Sequence, residues 1–295
     1  MGSKSVVKKI IPKSVKRYIK KNVSDTPKSV EYIVRESDKE RFEGQRIMVT
    51  GGTGAIGSAI CQRLLAEGAV VGICARNKNK LSEVKERFVK ENIANDNNCY
   101  TIIMDVTDEN SIKKAVDEFV EKTGGLEGFV NNAGGGARGE SKPLYLQDIE
   151  IIDRVLDTNL RGSILCAREA AKVMVERKCG KIINMSSVMG MNGKATMVDY
   201  SASKAGILGL TKSLALELGE FGITVNAISP GMVNQIPFDK GMAERRSDKN
   251  VIGRFGYTDE VADLAAFILS DNADYITGHN FVIDGGRSLG LFGDK

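Results

Sequence analysis

The sequence predicts a doubly wound α/β fold, a seven-stranded parallel sheet with helices on both faces. Three observations lead there. From Gln45 onward, short apolar runs alternate with longer stretches of helical period. The first run passes directly into a glycine-rich turn and then an apolar helical stretch. The chain has 295 residues, enough for one large domain that buries roughly three quarters of its unfolded surface. Parallel strands need a crossover between them, and helices on both faces then shield each strand from water.

The elements follow in order. The first strand falls on Arg46–Thr50, where Ile47, Met48 and Val49 form an unbroken apolar run, and a helical pattern follows over 56–67. The second strand, 69–75, is rich in valine and isoleucine and leads into a helix over 78–92. The third strand, 99–105, ends at Asp105 and is followed by a helix over 109–122; the fourth, 126–131, ends at Asn131. A long helical pattern, 145–177, precedes the fifth strand at 180–186, and a helix over 200–219 precedes the sixth at 222–228. A helix over 258–270 and a strand over 279–284 close the sheet. In such sheets ligands sit beyond the carboxyl ends of the strands, so the loops after them are where chemistry is expected.

Composition removes several classes of function. His279 is the single histidine, which excludes any site needing two and leaves one imidazole for a Ser-His-Asp or Cys-His arrangement. The five cysteines, Cys61, Cys74, Cys99, Cys166 and Cys179, show no Cys-x-x-Cys spacing, so no metal site and no disulfide framework is expected, and a reducing cytoplasm is the simplest setting. No apolar stretch approaches the roughly 18 residues that would span a bilayer. The net charge of +4 hides an asymmetry: residues 1–22 carry eight basic residues and no acid, and the remainder holds 34 basic against 38 acidic residues. The chain therefore reads as a basic extension over 1–43 and a single folded domain over 44–295. Within the extension Val6, Val7, Ile10, Ile11, Val15, Tyr18 and Ile19 recur at helical spacing despite Pro12. The readings open for it are a subunit-packing or disordered extension and a peripheral contact with anionic lipid or an acidic protein. Nucleic acid is not expected, because no aromatic residues interleave the charge.

Candidate chemistry begins at the turn Thr50-Gly51-Gly52-Thr53-Gly54-Ala55-Ile56-Gly57, a Gly-x-Gly-x-x-Gly fingerprint in its strand-turn-helix setting. Glycines let backbone amides and a helix N-terminus approach a pyrophosphate. The second strand ends in Arg76 without a carboxylate for the adenosine ribose, which favours NADP(H) and leaves NAD(H) as the alternative. Tyr200 and Lys204 stand four residues apart, on one helical face. An ammonium about 4 Å from a phenol is worth about 4 kcal/mol at an effective dielectric near 20, enough to lower the tyrosine pKa by up to roughly 3 units. The fifth strand ends in Ser186-Ser187, where a hydroxyl can donate to a carbonyl oxygen. Asn159 interrupts the long helical pattern, a place where asparagine can hold a water.

Together these residues resemble the short-chain dehydrogenase/reductase family, a Rossmann-type fold, over residues 44 to 288. The matching features are the Thr50 to Gly57 turn, Asp105, Asn131-Asn132-Ala133-Gly134, Asn159, Ser187, Tyr200-x-x-x-Lys204, Pro230-Gly231 and the ending Thr277-Gly278-x-x-x-x-Ile283-Asp284-Gly285-Gly286. The resemblance is to the single-domain branch, which includes 3-oxoacyl-carrier-protein reductases and sugar or polyol dehydrogenases. It implies a catalytic tetrad of Asn159, Ser187, Tyr200 and Lys204. It implies cofactor contacts from Gly51, Thr53, Gly54, Ile56, Gly57, Arg76, Asp105, Val106, Asn132, Ala133, Gly134, Tyr200, Lys204, Pro230, Gly231 and Val233. Arg138, Ser187, Met189, Tyr200 and Gln235 would meet a small carbonyl or alcohol substrate, and the subunits would form a homotetramer or homodimer. Two departures stand out: Ala55 replaces a glycine usual in this branch, as in the extended, sugar-nucleotide branch, and Gln235 replaces a frequent threonine. The expected activity is hydride transfer between NADP(H) and a carbonyl/secondary alcohol pair. The alternatives are a sugar or nucleotide-sugar enzyme using NAD(H), and a non-catalytic nucleotide-binding scaffold.

Overall fold

The structure, a computed structural model, describes residues 40–136, 139–234 and 249–289. Its sheet contains β1 (Arg46–Thr50), β2 (Val70–Ala75), β3 (Cys99–Ile103), β4 (Gly128–Asn131), β5 (Gly180–Met185), β6 (Ile223–Pro230) and β7 (Asn280–Ile283). They lie in the order β3-β2-β1-β4-β5-β6-β7, every pair parallel, as the sequence predicts. The chain starts at β1, walks outward to β3 and returns to β4, so the winding reverses between β1 and β4. A crevice opens at that switch point, beyond the carboxyl ends of the strands.

The helices are α1 (Ala55–Ala66), α2 (Lys78–Lys90), α3 (Glu109–Thr123), α4 (Ile149–Leu156), α5 (Gly162–Arg177), α6 (Val188–Asn192), α7 (Val198–Leu218) and α8 (Thr258–Leu269). The two faces of β1 show how the core divides. Ile47 and Val49 join the layer under α1 and α8 with Ile60, Leu64, Val261 and Ala265, whereas Met48 joins Ile112, Phe119, Phe129 and Val225 under α3, α5 and α7. This is the two-residue alternation of a strand covered on both sides. Gly72 in β2 is part of the second layer's fit, since a Cβ there would stand 2.9 Å from the Phe119 ring.

The pattern expected as one helix over 145–177 is divided in the structure. A 3₁₀ turn (Leu144–Leu146) and α4 lead into a π-helical turn (Asp157–Arg161), and α5 follows. Asn159 sits inside the π turn, fully buried. A π turn inserts one extra residue into a helix, which re-aims the side chains on either side of it. Other differences are of boundary: β3 stops before Asp105, β6 runs on through Pro230, α7 starts before Tyr200, and α6 is an added short helix.

At the entry to the sheet, Phe42 is fully buried in the first core layer and its N–H donates to the Glu67 carbonyl at 2.9 Å. Arg41 pairs with the buried Glu67 carboxylate at 3.3 Å. Packing of the body therefore reaches back at least to residue 42. The basic segment over 1–22 lies outside the described residues. Among the described residues, no helix is long and apolar enough to cross a membrane.

Candidate active site

The glycine-rich turn between β1 and α1 is built around contacts that side chains would block. Gly51 has φ +63°, and a Cβ there would meet the Ala133 Cα at 3.0 Å. Gly57 is tighter still: its Cβ would lie 2.3 Å from the Gly51 carbonyl oxygen and 2.6 Å from Asn132 Nδ2. The turn is clamped to the loop after β4. Thr50 Oγ1 accepts from the N–H groups of Asn132 and Ala133, both at 2.9 Å, and Asn132 Nδ2 donates to the carbonyls of Thr50 at 2.9 Å and Gly51 at 3.2 Å. Gly54 caps α1 with no side-chain acceptor, and the first turn holds no acidic residue. The positive end of the helix dipole is left uncompensated, the arrangement that receives an anion. We expect Gly57→Ala to separate the two loops, lowering stability by about 2 kcal/mol or more and weakening dinucleotide binding at least tenfold. A thermal melt and a fluorescence titration with NADPH check both effects.

A cavity of about 420 Å³ opens along this turn. Gly51, Thr53, Arg76, Asp105, Val106, Ala133 and Gly134, all expected to contact cofactor, line it. Gly54, Ile56, Gly57 and Asn132 belong to the turn and its clamp, outside the lining itself. Pro230 ends β6, Gly231 N–H donates to the Ile283 carbonyl, and Val233 makes a parallel bridge to Gly256; none of the three is in the lining of this cavity. Arg138 and Gln235 lie outside the described residues.

One end of the cavity carries two cations, Arg76 and Lys80, and neither forms an ion pair among the described residues. The Asp105 carboxylate accepts from Thr107 N–H at 3.0 Å and Thr107 Oγ1 at 2.8 Å. Burial works to raise the Asp105 carboxyl, but the two Thr107 hydrogen bonds and the charge of Arg76 outweigh it and hold the group below the usual carboxylate range. Asp105 is thus kept as an acceptor at neutral pH.

Toward the other end, beyond Gly134, Gly135 and Gly136, stand the residues read from the sequence as catalytic. Asn159 Oδ1 accepts from the Gly135 N–H at 2.9 Å, and Nδ2 donates to the Gly135 carbonyl at 3.1 Å and to Ser203 Oγ at 3.0 Å. The π turn thereby grips the loop after β4. Its amide, expected to hold a water, is spent on Gly135 and Ser203, because the extra residue of the π turn brings the side chain into direct reach of both. Lys204 is buried and its Nζ donates to the Met185 carbonyl at 2.7 Å. Removal from water lowers its pKa to about 8. That Nζ lies 5.9 Å from the centre of the Tyr200 ring. The ring packs against Ile151 and Val155, and a Cβ on Gly136 would stand 3.5 Å from it. Ser187 caps α6, accepting from the Met189 N–H at 3.2 Å. The short helix is held close to α7: a Cβ on Gly190 would be 2.5 Å from the Lys204 backbone carbon. Of the methionines near the site, Met197 reaches the Gly136 position, with Cε 2.8 Å from a Cβ there, whereas Met191 is exposed and its sulfur accepts from Asn280 Nδ2 at 3.3 Å.

The chain is similar to known proteins over most of its length. A family model described as enoyl-(acyl carrier protein) reductase matches residues 51–288. A 3-oxoacyl-(acyl-carrier-protein) reductase of Rickettsia typhi is 34% identical over 257 residues, covering 84% of this chain and 98% of that protein. The chain belongs to the short-chain dehydrogenase/reductase family. Among other members, the levodione reductase of Leifsonia aquatica is 33% identical over 263 residues, covering 85% of this chain and 97% of the relative. A crystal structure of a short-chain dehydrogenase from Bacillus anthracis superposes with a TM-score of 0.76 at 32% identity, covering 84% of this chain and 98% of that one. Like its short-chain dehydrogenase/reductase relatives, the chain is an NAD(P)-dependent oxidoreductase.

Several residues of the site are silent in the sequence-level pattern. Lys80 lies on the first turn of α2, where an exposed lysine carries no signal; Thr107 and Ser203 act through hydrogen bonds to Asp105 and Asn159 and carry no signal of their own. Thr50, the hinge of the clamp, is hidden because its role depends on a loop more than 80 residues away.

Proposed function

We propose that the protein transfers hydride between NADP(H) and a carbonyl/secondary alcohol pair, with Asn159, Ser187, Tyr200 and Lys204 as the catalytic set. The observation that carries this reading is the buried Lys204 ammonium, fixed by the Met185 carbonyl beneath the Tyr200 ring. The dinucleotide fits the residues present. Gly51, Gly52 and Gly57 of the turn have no room for side chains, the α1 N-terminus has no acidic neighbour, and Arg76 with Lys80, neither in an ion pair among the described residues, offers two positive charges to a 2′-phosphate. When bound, the nicotinamide supplies or accepts the hydride.

The chain's own residues handle the oxygen. Ser187 Oγ donates to the substrate carbonyl as negative charge grows there, a contribution of about 3 kcal/mol in comparable sites. Tyr200 gives its hydroxyl proton to that oxygen in reduction and takes it back in oxidation. The charge on Lys204 stabilises the phenolate left behind, and Asn159 holds the Gly135 loop against the site. Met197 against Gly136 gives the substrate an apolar, deformable wall.

The test is initial-rate turnover of a panel of neutral ketones with NADPH and NADH. We expect a clear preference for NADPH. Arg76→Ala should raise the NADPH KM by about 10- to 100-fold, the worth of a hydrogen bond between charged groups, and change the NADH KM by less than about threefold. Equal use of the two cofactors, or an Arg76→Ala variant that leaves the ratio of KM values unchanged, would exclude the NADP(H) assignment.

A further inference from the structure

We propose that Thr211 and Asn184 are positioning residues that set the roll of α7 about its axis and thereby aim Tyr200 and Lys204; the inference rests on the catalytic reading given above. The first support is a closed circuit of buried hydrogen bonds that leaves α7 and returns to it. Asn184 Nδ2, on β5, donates to Thr211 Oγ1 at 3.0 Å, and Thr211 Oγ1 donates to the Ile207 carbonyl at 2.8 Å. On its other side Asn184 Oδ1 accepts from Asn131 Nδ2, on β4, at 2.8 Å, and the same Nδ2 donates to the Ser163 carbonyl at 3.2 Å. Ser163 Oγ donates to the Asn159 carbonyl at 2.8 Å. Asn159 then reaches α7 again through Ser203, whose Oγ donates to the Tyr200 carbonyl at 2.7 Å. All six of these side-chain-bonded residues, Asn131, Asn159, Ser163, Asn184, Ser203 and Thr211, are buried. In a site of low dielectric each such bond is stronger than it would be in water.

The second support is where the two attachments fall on α7. Thr211 comes seven residues after Lys204, about two turns along the same face, whereas Ser203 lies eight residues before Thr211 and about 80° around the helix. Braced from two directions at points about 12 Å apart, the helix is held against both roll and sliding. The end of β5 adds two further rungs: Lys204 Nζ donates to the Met185 carbonyl, and Ser186 Oγ donates to the Lys204 carbonyl at 2.7 Å. Asn184, Met185 and Ser186 thus grip α7 in succession, and Ser187 is the next residue of the chain. The third support is that apolar burial does not choose this roll. The outward side of α7 carries Val198, Ala202, Ala205, Gly209 and Leu216 alongside Lys212 and Glu217, and Leu216 is 87% exposed. A helix this apolar all round gains little from one roll over another, so the buried amides and hydroxyls make the choice. A roll of about 10° carries a group at the rim of a helix, roughly 6 Å from its axis, through about 1 Å. Displacement of that size costs about 100-fold in rate.

The test is kinetic, with the full-length protein assayed below its melting temperature on a ketone that the parent reduces with NADPH. Thr211→Val keeps the shape of the side chain and deletes the acceptor of Asn184, whereas Thr211→Ser keeps the hydroxyl and deletes the methyl. We expect Thr211→Val to lose about 10- to 100-fold in kcat, with the ketone KM and the NADPH Kd within about threefold of the parent. Thr211→Ser should restore kcat to within about threefold of the parent. Ser163→Ala, which opens the circuit on its far side, should lower kcat about tenfold. The inference falls if Thr211→Val melts lower than the parent yet keeps its kcat, the signature of a purely structural contact. It falls equally if Thr211→Ser is as slow as Thr211→Val, which would trace the effect to the methyl. Should Thr211→Val fail to fold, Ser163→Ala decides alone, and a parental kcat there removes the inference. Tyr200→Phe, run beside these variants, separates the two readings. An inactive Tyr200→Phe with a fully active Thr211→Val overturns the positioning role alone; an active Tyr200→Phe overturns both.

Discussion

Tyr200→Phe should lose about a thousandfold in kcat while binding NADPH with a Kd unchanged within about twofold. The substitution deletes one oxygen and leaves the ring, with its packing against Ile151, Val155 and the Gly136 backbone, in place. On the proposed reading the cavity would hold the cofactor mainly by the turn, Arg76 and the loop after β4, all of which line it. The loss should fall on the chemical step, because removing a positioned proton donor typically costs 10²- to 10⁴-fold. Single-turnover kinetics with a titration of NADPH fluorescence separate the two quantities. A variant that retains more than a tenth of the parental kcat would mean that another group moves the proton, and the tetrad reading would be withdrawn.

Lys204→Met should abolish turnover to a similar degree without making the protein melt lower at pH 7. The lysine is taken out of water, and burial lowers its pKa from 10.5 to about 8. Between those two values the native state binds fewer protons than the unfolded chain, so the free energy of unfolding rises with pH across the window from about 8 to 10.5. Below pH 8 the folded protein carries the full penalty of a buried charge, about 3 kcal/mol. Methionine fills similar volume and removes that penalty. It also leaves the Met185 carbonyl without the lysine donor, which costs about 1–3 kcal/mol. At pH 7 the two effects cancel or favour the variant; near pH 10, where the parent's lysine is mostly neutral, the variant should be the less stable of the two. Melting both proteins at pH 7 and pH 10 tests the crossover. A variant that melts well below the parent at pH 7 would assign Lys204 a structural part, with its charge already compensated in the fold.

The architecture was readable because it rests on patterns that act within one element or between neighbours. The apolar runs at Ile47–Val49 and Ile182–Ile183, and the glycines that permit the turn after β1, are local facts of chemistry. The order of the seven strands follows from the alternation of strand and helix. What stayed hidden depends on distant partners. The division of the helix over 145–177 turns on Asn159 finding Gly135 and Ser203, one 24 residues before it and the other 44 after. Asparagine in a helical run signals an interruption but cannot say which kind. Phe42 looked like part of a charged extension because its neighbours Arg41 and Glu43 are polar; its burial depends on Glu67 presenting a carbonyl across the base of the sheet. Lys80 carries no signal because exposed lysines on a first helical turn are commonplace, and only the cavity groups this one with Arg76.

The widened turn at Asp157–Arg161 also makes chain length there a matter of phase. One residue more than a regular helix would hold separates α4 from α5, and each residue of helix turns what precedes it by about 100°. Deleting a single residue would restore a regular helix, yet it would swing Ile151 and Val155 off the Tyr200 ring and carry Asn159 away from Gly135. Insertions and deletions that surface loops absorb freely are therefore barred from this stretch. The reading frame of the helix, rather than the identity of any one side chain, sets the spacing between the two halves of the site.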